Sequence, residues 1–407
     1  MPATASPPRP LLTALALSLA AAVALGLTRF SYGLLLPPMR ADLGWSYLLA
    51  GAMNTCNALG YFLGALATPA LMRRLGVWRL LMAGAILASL FMLVSGAVTG
   101  TAALFLQRVC AGVASAFMFI AGGVLAARLG SMHSARAGFY IGLYYGGTGF
   151  GIALSALLVP AALETAQQHG AAHAWQWPWL ALGLACLAAT AIMALPVKAI
   201  GEAPPGQAKK QHFTVRDFGF GLGGYFMFGV GYIGYMTFVI ALLKQQGMPA
   251  ARITLFYTLL GLAVVASSRI WAGMLDRFKG GESLAILNAV LGVATILPAL
   301  TSAVPVVFAS GMVFGAVFLS VVASTTALVR HNLPQEGWSA GISAFTTVFA
   351  LGQIVGPTVV GWIADGPAGL ERGLIASAAA LFAGAALASR QRPLASASRQ
   401  YNTSRYR

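Results

Sequence analysis

Long apolar stretches alternate with short polar interruptions along the whole chain. Each stretch is about 20 residues long or longer, which is the length an α-helix needs to cross the hydrocarbon core of a bilayer. Glycine, proline and charged residues separate one stretch from the next. Because lipid offers the backbone no hydrogen-bond partners, each stretch is predicted to be a transmembrane helix. The twelve predicted spans run over about 11–36, 45–71, 77–97, 101–127, 135–162, 174–197, 214–242, 250–275, 282–302, 304–329, 338–363 and 369–389.

The spans fall into two sets of six, separated by a polar and basic interval. Sliding the chain by 203 residues superposes Gly26 on Gly229. The same offset superposes the basic turn 73–76 on the turn 276–279. We therefore predict a two-fold repeat, the kind of internal symmetry found in transporters. The predicted units are an N-terminal tail at 1–10, a six-helix bundle at 11–197, a linker at 198–213, a second six-helix bundle at 214–389 and a basic tail at 390–407.

The composition agrees with an integral membrane protein, because 58% of the 407 residues are hydrophobic and 8% are charged, against about 25% charged residues in soluble domains. The net charge of +16 does not indicate a nucleic-acid partner, since the basic residues sit singly or in pairs in turns and in the tail. With both termini on one side, segments on that side hold 18 Lys and Arg, and the opposite loops hold four. The positive-inside rule then predicts cytoplasmic termini.

Enzyme and pump chemistry has no support in the sequence. The three cysteines lie in apolar runs, at spacings that suit neither a disulfide framework nor a metal site. The chain also lacks a nucleotide-binding loop and a nucleophile paired with a base. We therefore predict no catalytic residue, no cofactor and no bound metal.

Two arginines stand deep within predicted spans. A charge inside a membrane helix costs about 3 kcal/mol on insertion scales, so it marks a functional site by default. Arg29 lies eight residues before Pro37, where the first apolar run ends, and Arg108 lies seven residues into span 4. These separations place them about 12 Å and about 10 Å from the outer surface. The pair is predicted to bind a carboxylate or phosphate with forked hydrogen bonds. The alternative is that each arginine binds backbone carbonyls or stabilises a helix contact.

The distribution of acids favours a bound anion. All nine acids and all five histidines are predicted to lie in loops or at span ends. No carboxylate or imidazole is therefore expected in mid-membrane to neutralise the arginines or to relay protons. Since an unpaired buried charge is costly, an anionic substrate is the expected partner.

Further polar residues cluster on a few spans and are predicted to line a cavity between the halves. Spans 3, 6, 9 and 12 are poorer in polar residues and are expected to face lipid. Packing and helix–helix hydrogen bonding are the alternatives for each polar residue. The additional candidates for substrate binding are Tyr32, Asn54, Asn57, Tyr144, Tyr232 and Tyr235.

A third arginine, Arg269, lies near the inner end of span 8 and seven residues before Asp276. It is expected to anchor an inner gate or to pair with a loop acid. A place in an inward-facing anion path is the alternative.

Four segments carry a resemblance to a known family. They are GMLDRFKGG at 273–281, QRVCAGVASA at 107–116, GQIVGPTVVG at 352–361 and TRFSYGLLLPPMRADLGWS at 28–46. Together they resemble the major facilitator superfamily (MFS) over essentially the whole chain, and the last resembles its bacterial YbfB/YjiJ group. One turn departs from the pattern, because Arg73 stands where the family's loop signature has an acid.

The resemblance implies an all-α integral membrane fold of twelve transmembrane helices in two pseudo-symmetric six-helix bundles, with spans 1, 4, 7 and 10 around a cavity. It implies location in the bacterial inner membrane, and we expect a monomer. Residues expected to act in gating or conformational change are Arg269, Asp276, Arg277, Gly352, Gly356 and Pro357.

Three functional hypotheses follow. The first is a secondary transporter that moves a small organic anion, such as a carboxylate, by alternating access. The second is a proton-coupled exporter of drugs, amino acids or sugars, although cation efflux usually requires a buried acid. The third is a receptor or scaffold, which the lack of a sizeable soluble domain disfavours. The expected partners are a small molecule and the lipid bilayer, and the coupling ion stays open.

Overall fold

The computed structural model describes residues 9–133, 137–201, 214–334, 337–367 and 369–394. Most of the predicted linker and of the basic tail lies outside these residues. Within them the chain is all-α, and a short 3₁₀ turn at Val215–Phe218 and a short helix at Ala272–Arg277 accompany twelve long helices. Spans 1 to 12 are Pro10–Leu43, Tyr47–Leu75, Val77–Ser95, Thr101–Met132, Ala137–Gln168, Gln176–Lys198, Gly219–Gln245, Ala250–Ile270, Glu282–Leu300, Val304–Asn332, Trp338–Ala364 and Gly369–Ala388.

Eleven helices among the described residues are long and apolar enough to cross a membrane. The remaining long helix is span 2, which has 29 residues and is therefore also long enough to cross. Its hydropathy is lowered by polar residues such as Asn54 and Asn57, both of which are buried. Span 2 therefore directs polar groups toward the protein interior, as expected of a helix beside an internal path.

Span 1 is longer and less regular than predicted. Pro37 and Pro38 do not end it, because the helix continues to Leu43 and stops at Gly44, whose φ of 63° is left-handed. A π-helical segment, Ala22–Phe30, lies in its middle. Arg29 consequently lies 14 residues from the helix end, about 21 Å at 1.5 Å per residue, which is deeper than the sequence estimate.

The helix pairings of the first six spans recur in the last six. Span 1 packs on spans 5 and 6, span 2 on span 4, and span 3 on spans 4 and 6; the same pairs, six numbers later, form the second set. Glycine contacts repeat as well, since a Cβ on Gly26 would lie 2.6 Å from Cα of Gly151 and one on Gly229 would lie 3.2 Å from Cα of Gly352. The internal sequence repeat therefore corresponds to a repeated packing arrangement.

The two halves meet through spans 1 and 7, 2 and 11, and 5 and 8. We call the end of the bundle that carries 44–46 and 365–367 the Asp365 end, and the opposite end the Arg9 end. Between described residues, the inter-half hydrogen bonds lie from the level of Phe30 to the Asp365 end. The conformation is therefore one in which the halves are fastened at the Asp365 end.

Candidate functional site

The backbone of span 1 changes from π-helix to α-helix at Ser31, two residues after Arg29. Around this change, carbonyl groups on either side of Arg29 accept hydrogen bonds from other spans. The Thr28 carbonyl accepts from Nη1 of Arg108 at 2.7 Å, and the Phe30 carbonyl accepts from the Tyr257 hydroxyl at 2.7 Å. Arg108 belongs to the first half and Tyr257 to the second, so both halves hold the segment that carries Arg29. Irregular helix of this kind is frequent at functional sites.

The Arg29 side chain is 2% exposed, yet its Nε and Nη2 have no hydrogen-bond partner among the described residues. Its Cζ lies 5.9 Å from the centre of the Tyr61 ring. The next residue in span 1, Phe30, packs edge-on against Phe318 of span 10, and Phe318 stacks on Tyr232 of span 7. Buried donors without acceptors are rare and costly, so each such group needs an explanation. A guanidinium with two free donors between the halves is suited to bind an anion.

Arg108 is also buried, at 1% exposure, but the protein supplies acceptors for both of its Nη groups and leaves only Nε without a partner. Besides the Thr28 carbonyl, it donates from Nη2 to Oδ1 of Asn54 at 3.2 Å. Its Cζ lies 5.5 Å from the Tyr32 ring centre and 5.6 Å from that of Trp179. Its bond to the Thr28 carbonyl brings Arg108 to the residue next to Arg29. The structure thus brings the predicted pair together but leaves it unequal, with Arg108 bound into the protein.

Asn54 extends the Arg108 contacts into the second half. Its Nδ2 donates to Oγ1 of Thr237 on span 7 at 2.7 Å. A chain of hydrogen bonds therefore leads from Arg108 through Asn54 to Thr237. This arrangement links Arg108 to the contact between the halves.

Four other predicted binding residues make hydrogen bonds within one half. The Tyr32 hydroxyl donates to the Ala50 carbonyl, the Tyr144 hydroxyl to the Phe119 carbonyl and the Asn57 amide to the Arg108 carbonyl. The Tyr235 hydroxyl bonds Oγ of Ser310 at 2.9 Å. These contacts join neighbouring helices. Tyr232 instead stacks on Phe318, whose ring meets that of Phe30, the residue after Arg29.

Sequence reasoning did not assign Tyr61 to the site. Tyr61 follows Asn54 and Asn57 on one face of span 2, so the helical spacing was a usable signal. Phe318 and Phe349 lie beside Tyr232. The sequence pattern could not identify them, because phenylalanine is common in apolar spans.

The Gly–Pro segment of span 11 has two kinds of contact. Gly352 and Gly356 lie against the backbone of span 7, where a Cβ on Gly356 would approach the Val230 carbonyl at 2.5 Å. Pro357 instead presents its carbonyl to Gly51 of span 2 in the other half. Gly352 and Gly356 therefore allow close packing within the second half, and Gly51 allows close packing between the halves at Pro357.

The remaining gating candidates lie toward the Arg9 end. The Cζ of Arg269 is 5.3 Å from the ring centre of Phe139 on span 5, which is a cation–π contact between the halves. Asp276 and Arg277 end the short helix after span 8, and Arg277 lies over the ring of Phe278 at 5.7 Å.

A fastening contact at the Asp365 end was not foreseen from the sequence. The Asp365 carboxylate accepts hydrogen bonds from the backbone N–H groups of Tyr47 at 2.7 Å and Leu48 at 2.9 Å. An acid from span 11 thus caps the N-terminus of span 2, where helix N–H groups favour negative charge. Nearby, the hydroxyls of Thr55 and Thr358 lie 2.7 Å apart. The partners are more than 300 positions apart in sequence, so no local pattern reveals them.

Comparisons with known proteins agree with this architecture. Residues 21–389 match the family described as uncharacterised MFS-type transporter YbfB. A search of curated proteins finds no match.

Solved structures with the same fold include a bacterial homolog of the human lysosomal transporter Spinster, inward-facing and unoccupied, with a TM-score of 0.71, 16% identity and coverage of 94% of this chain and 97% of that one. The nucleoside transporter NupG matches with a TM-score of 0.71, 13% identity and coverage of 94% and 98%. FucP in the outward conformation matches with 0.60, 14% identity and coverage of 93% and 97%. These likenesses show the twelve-helix MFS fold. With the family match extending over nearly all of the described spans, the chain belongs to the YbfB family of MFS-type transporters.

Proposed function

We propose that this transporter carries a small organic anion, such as a carboxylate, across the bacterial inner membrane by alternating access, with both termini in the cytoplasm. The observation that carries the proposal is Arg29, which is 2% exposed and has two donor nitrogens without partners. Among the described residues, Arg29 forms no ion pair. A bound carboxylate would supply both missing acceptors in the forked geometry that guanidinium prefers.

The same feature supports coupling between binding and movement. Burying an uncompensated charge is unfavourable, whereas burying it with a hydrogen-bonded anion costs much less. A bound anion therefore lowers the free energy of conformations in which both halves enclose Arg29. A ligand shifts a conformational equilibrium only through such a difference in affinity between states. At Arg29 the anion would bind more tightly to conformations that bury the guanidinium than to conformations that expose it.

The direction of access follows from the fastened end. With the Asp365 end on the periplasmic side, the observed conformation is closed toward the periplasm. Transfer to the other side requires the Asp365 contacts with span 2 and the Thr55–Thr358 contact to separate. The hydrogen bond between Asn54 and Thr237 must break as well.

The test measures binding and transport in the same variants. Purified protein is screened by thermal shift against carboxylates, sugars, amino acids and cationic dyes, because a ligand that binds the native state raises its melting temperature. The stabilising ligands are then used for uptake into proteoliposomes. Arg29→Ala is expected to abolish both stabilisation and uptake for a carboxylate. Arg252→Ala, which removes an exposed arginine at the start of span 8, is the matched control and is expected to behave as wild type.

Two outcomes would contradict the proposal. One is stabilisation by neutral or cationic ligands alone. The other is unchanged uptake of a carboxylate by Arg29→Ala. Proton-driven extrusion of a cationic dye that does not depend on Arg29 would favour the exporter hypothesis instead.

A further inference from the structure

We infer that the transported anion is a planar aromatic monocarboxylate, whose carboxylate binds Arg29 and whose ring stacks on aromatic side chains of the second half. This inference rests on the proposed function, since it names the substrate class of the same site. It goes further because it predicts the shape of the part of the substrate that carries no charge.

An aromatic wall lies on the second half beside Arg29. Its rings come from spans 7, 10 and 11 and stack nearly parallel, with centroid distances of 4.8 to 5.6 Å and interplanar angles of 10° to 23°. Offset stacking of this kind is the arrangement aromatic rings prefer. The members of the wall are Tyr225, Phe228, Tyr232, Phe318 and Phe349.

The wall meets span 1 at Phe30, the residue after Arg29. The Phe30 ring lies edge-on to Phe318, with ring centroids 5.6 Å apart. Phe318 stacks on Tyr232, which also stacks on two further rings of the wall. From the first half, the Tyr61 ring centre lies 5.9 Å from Cζ of Arg29. An anion on Arg29 would therefore lie beside aromatic rings from both halves.

The exposure of two rings distinguishes them from ordinary core packing. Phe349 and Tyr61 are half-buried, whereas the other four rings of the wall are buried. A ligand with a planar aromatic ring can stack on this surface as the rings stack on one another. A ligand with a saturated, puckered ring packs against the same surface without the stacking contribution.

The charges limit the rest of the substrate. The seven acids of the described chain lie in loops or within about a turn of a helix end, so none is placed to hold an ammonium group beside the wall. Arg108, the neighbouring cation, directs both Nη groups to Thr28 and Asn54 and keeps only Nε without a partner, so it offers no second forked site for a further carboxylate. A single carboxylate therefore satisfies the site.

The test compares three small probes on the purified full-length protein by isothermal titration. Benzoate has the charge and the flat ring, cyclohexanecarboxylate has the charge with a puckered ring, and benzamide has the flat ring without the charge. We expect benzoate to bind about five-fold more tightly than cyclohexanecarboxylate, as one stacking contact implies, and benzamide not to bind measurably.

Variants of Phe349 then identify the surface responsible. Phe349→Leu keeps an apolar side chain but removes the ring, so the benzoate preference is expected to disappear while cyclohexanecarboxylate binds as before. Phe349→Tyr is expected to restore the preference. Phe382→Leu, a change to an exposed ring on span 12, is the matched control and leaves the ratio unchanged. Because each ratio compares two ligands on one variant, it is insensitive to a general loss of stability.

The outcomes separate this inference from the proposed function. Equal binding of benzoate and cyclohexanecarboxylate, both lost in Arg29→Gln, would overturn the aromatic inference and leave the anion proposal intact. A benzoate preference that survives Phe349→Leu would also overturn it. Binding of benzamide as tight as that of benzoate would overturn both.

Discussion

Arg29 and Arg108 lie in the same half of the molecule, are 2% and 1% exposed, and each stands beside a tyrosine ring. Their surroundings differ in hydrogen bonding. Arg108 donates from both Nη groups, to the Thr28 carbonyl and to Asn54, and has only Nε without a partner, whereas Nε and Nη2 of Arg29 both have no partner among the described residues. Burial and charge are thus nearly equal at the two positions, and the number of acceptors that the protein supplies separates them.

Under the proposed function, the difference separates an arginine held by the protein from one that binds the substrate. The cost of placing a guanidinium in the bundle is offset at Arg108 by the Thr28 carbonyl in the irregular part of span 1 and by Asn54. At Arg29 the bound anion would offset the same cost, and this difference in affinity is what lets a ligand favour one conformation over another.

The largest expected effect is on stability and separates the two arginines directly. Arg108→Ala leaves the Thr28 carbonyl and the Asn54 amide oxygen without their donor, so we expect the free energy of unfolding to fall by about 2–4 kcal/mol. Arg29→Ala removes an uncompensated buried charge and is expected to leave the melting temperature unchanged or to raise it. Thermal unfolding of both variants in the same detergent, without ligand, measures the contrast. Equal destabilisation by the two substitutions would show that Arg29 has a structural partner and would remove the basis of the comparison.

Much of the fold can be predicted from the sequence because it depends on properties of whole helices, such as the length of an apolar stretch. Apolar length predicts the spans, and the twelve-helix MFS fold is confirmed by the structure and the family match. The end of span 1 was predicted wrongly, since Pro37 and Pro38 lie within the helix. Proline is tolerated there because neighbouring groups in a membrane bundle can satisfy the backbone it disrupts.

The site is less predictable because it depends on single contacts between distant residues. The sequence placed both arginines inside the membrane but contained no signal that Arg108 reaches the Thr28 carbonyl. That carbonyl lies in the π-helical segment Ala22–Phe30, which the apolar pattern of span 1 did not indicate. The pairing of Asp365 with the start of span 2 likewise connects positions in different halves. Such contacts require the packed structure.

A smaller effect is expected at the Asp365 end. Asp365→Asn loses the charge and one of two hydrogen bonds to span 2, which weakens the closed conformation by about 1.5 kcal/mol. The population with a separated Asp365 end then rises about ten-fold. Distances between spin labels at residues 167 and 302, in a background without native cysteines, report this population.

Asp42→Asn is the matched control for that measurement. Asp42 lies at the same end but pairs with His173 at 2.7 Å within the first half. It is expected to lower the melting temperature without changing the distance between labels. An identical distance change in both variants would mean that loss of an acid loosens the end generally, and the role of Asp365 as a fastening residue would be wrong.

The smallest effect concerns the second carbonyl beside Arg29. Tyr257→Phe leaves the Phe30 carbonyl without its donor from the second half, at a cost of about 1 kcal/mol to the closed conformation. Because the segment that carries Arg29 is then held from one side only, we expect the affinity for the anion to fall about three-fold to five-fold, as measured by titration. Tyr235→Phe makes the same chemical change at a buried tyrosine that bonds Ser310 inside the second half, and it should lower stability without changing affinity. If Tyr257→Phe and Tyr235→Phe lower the affinity equally, the position of Arg29 depends on the overall stability of the protein. If only Tyr257→Phe lowers the affinity, the hydrogen bond from the second half positions Arg29, which lies in the first half.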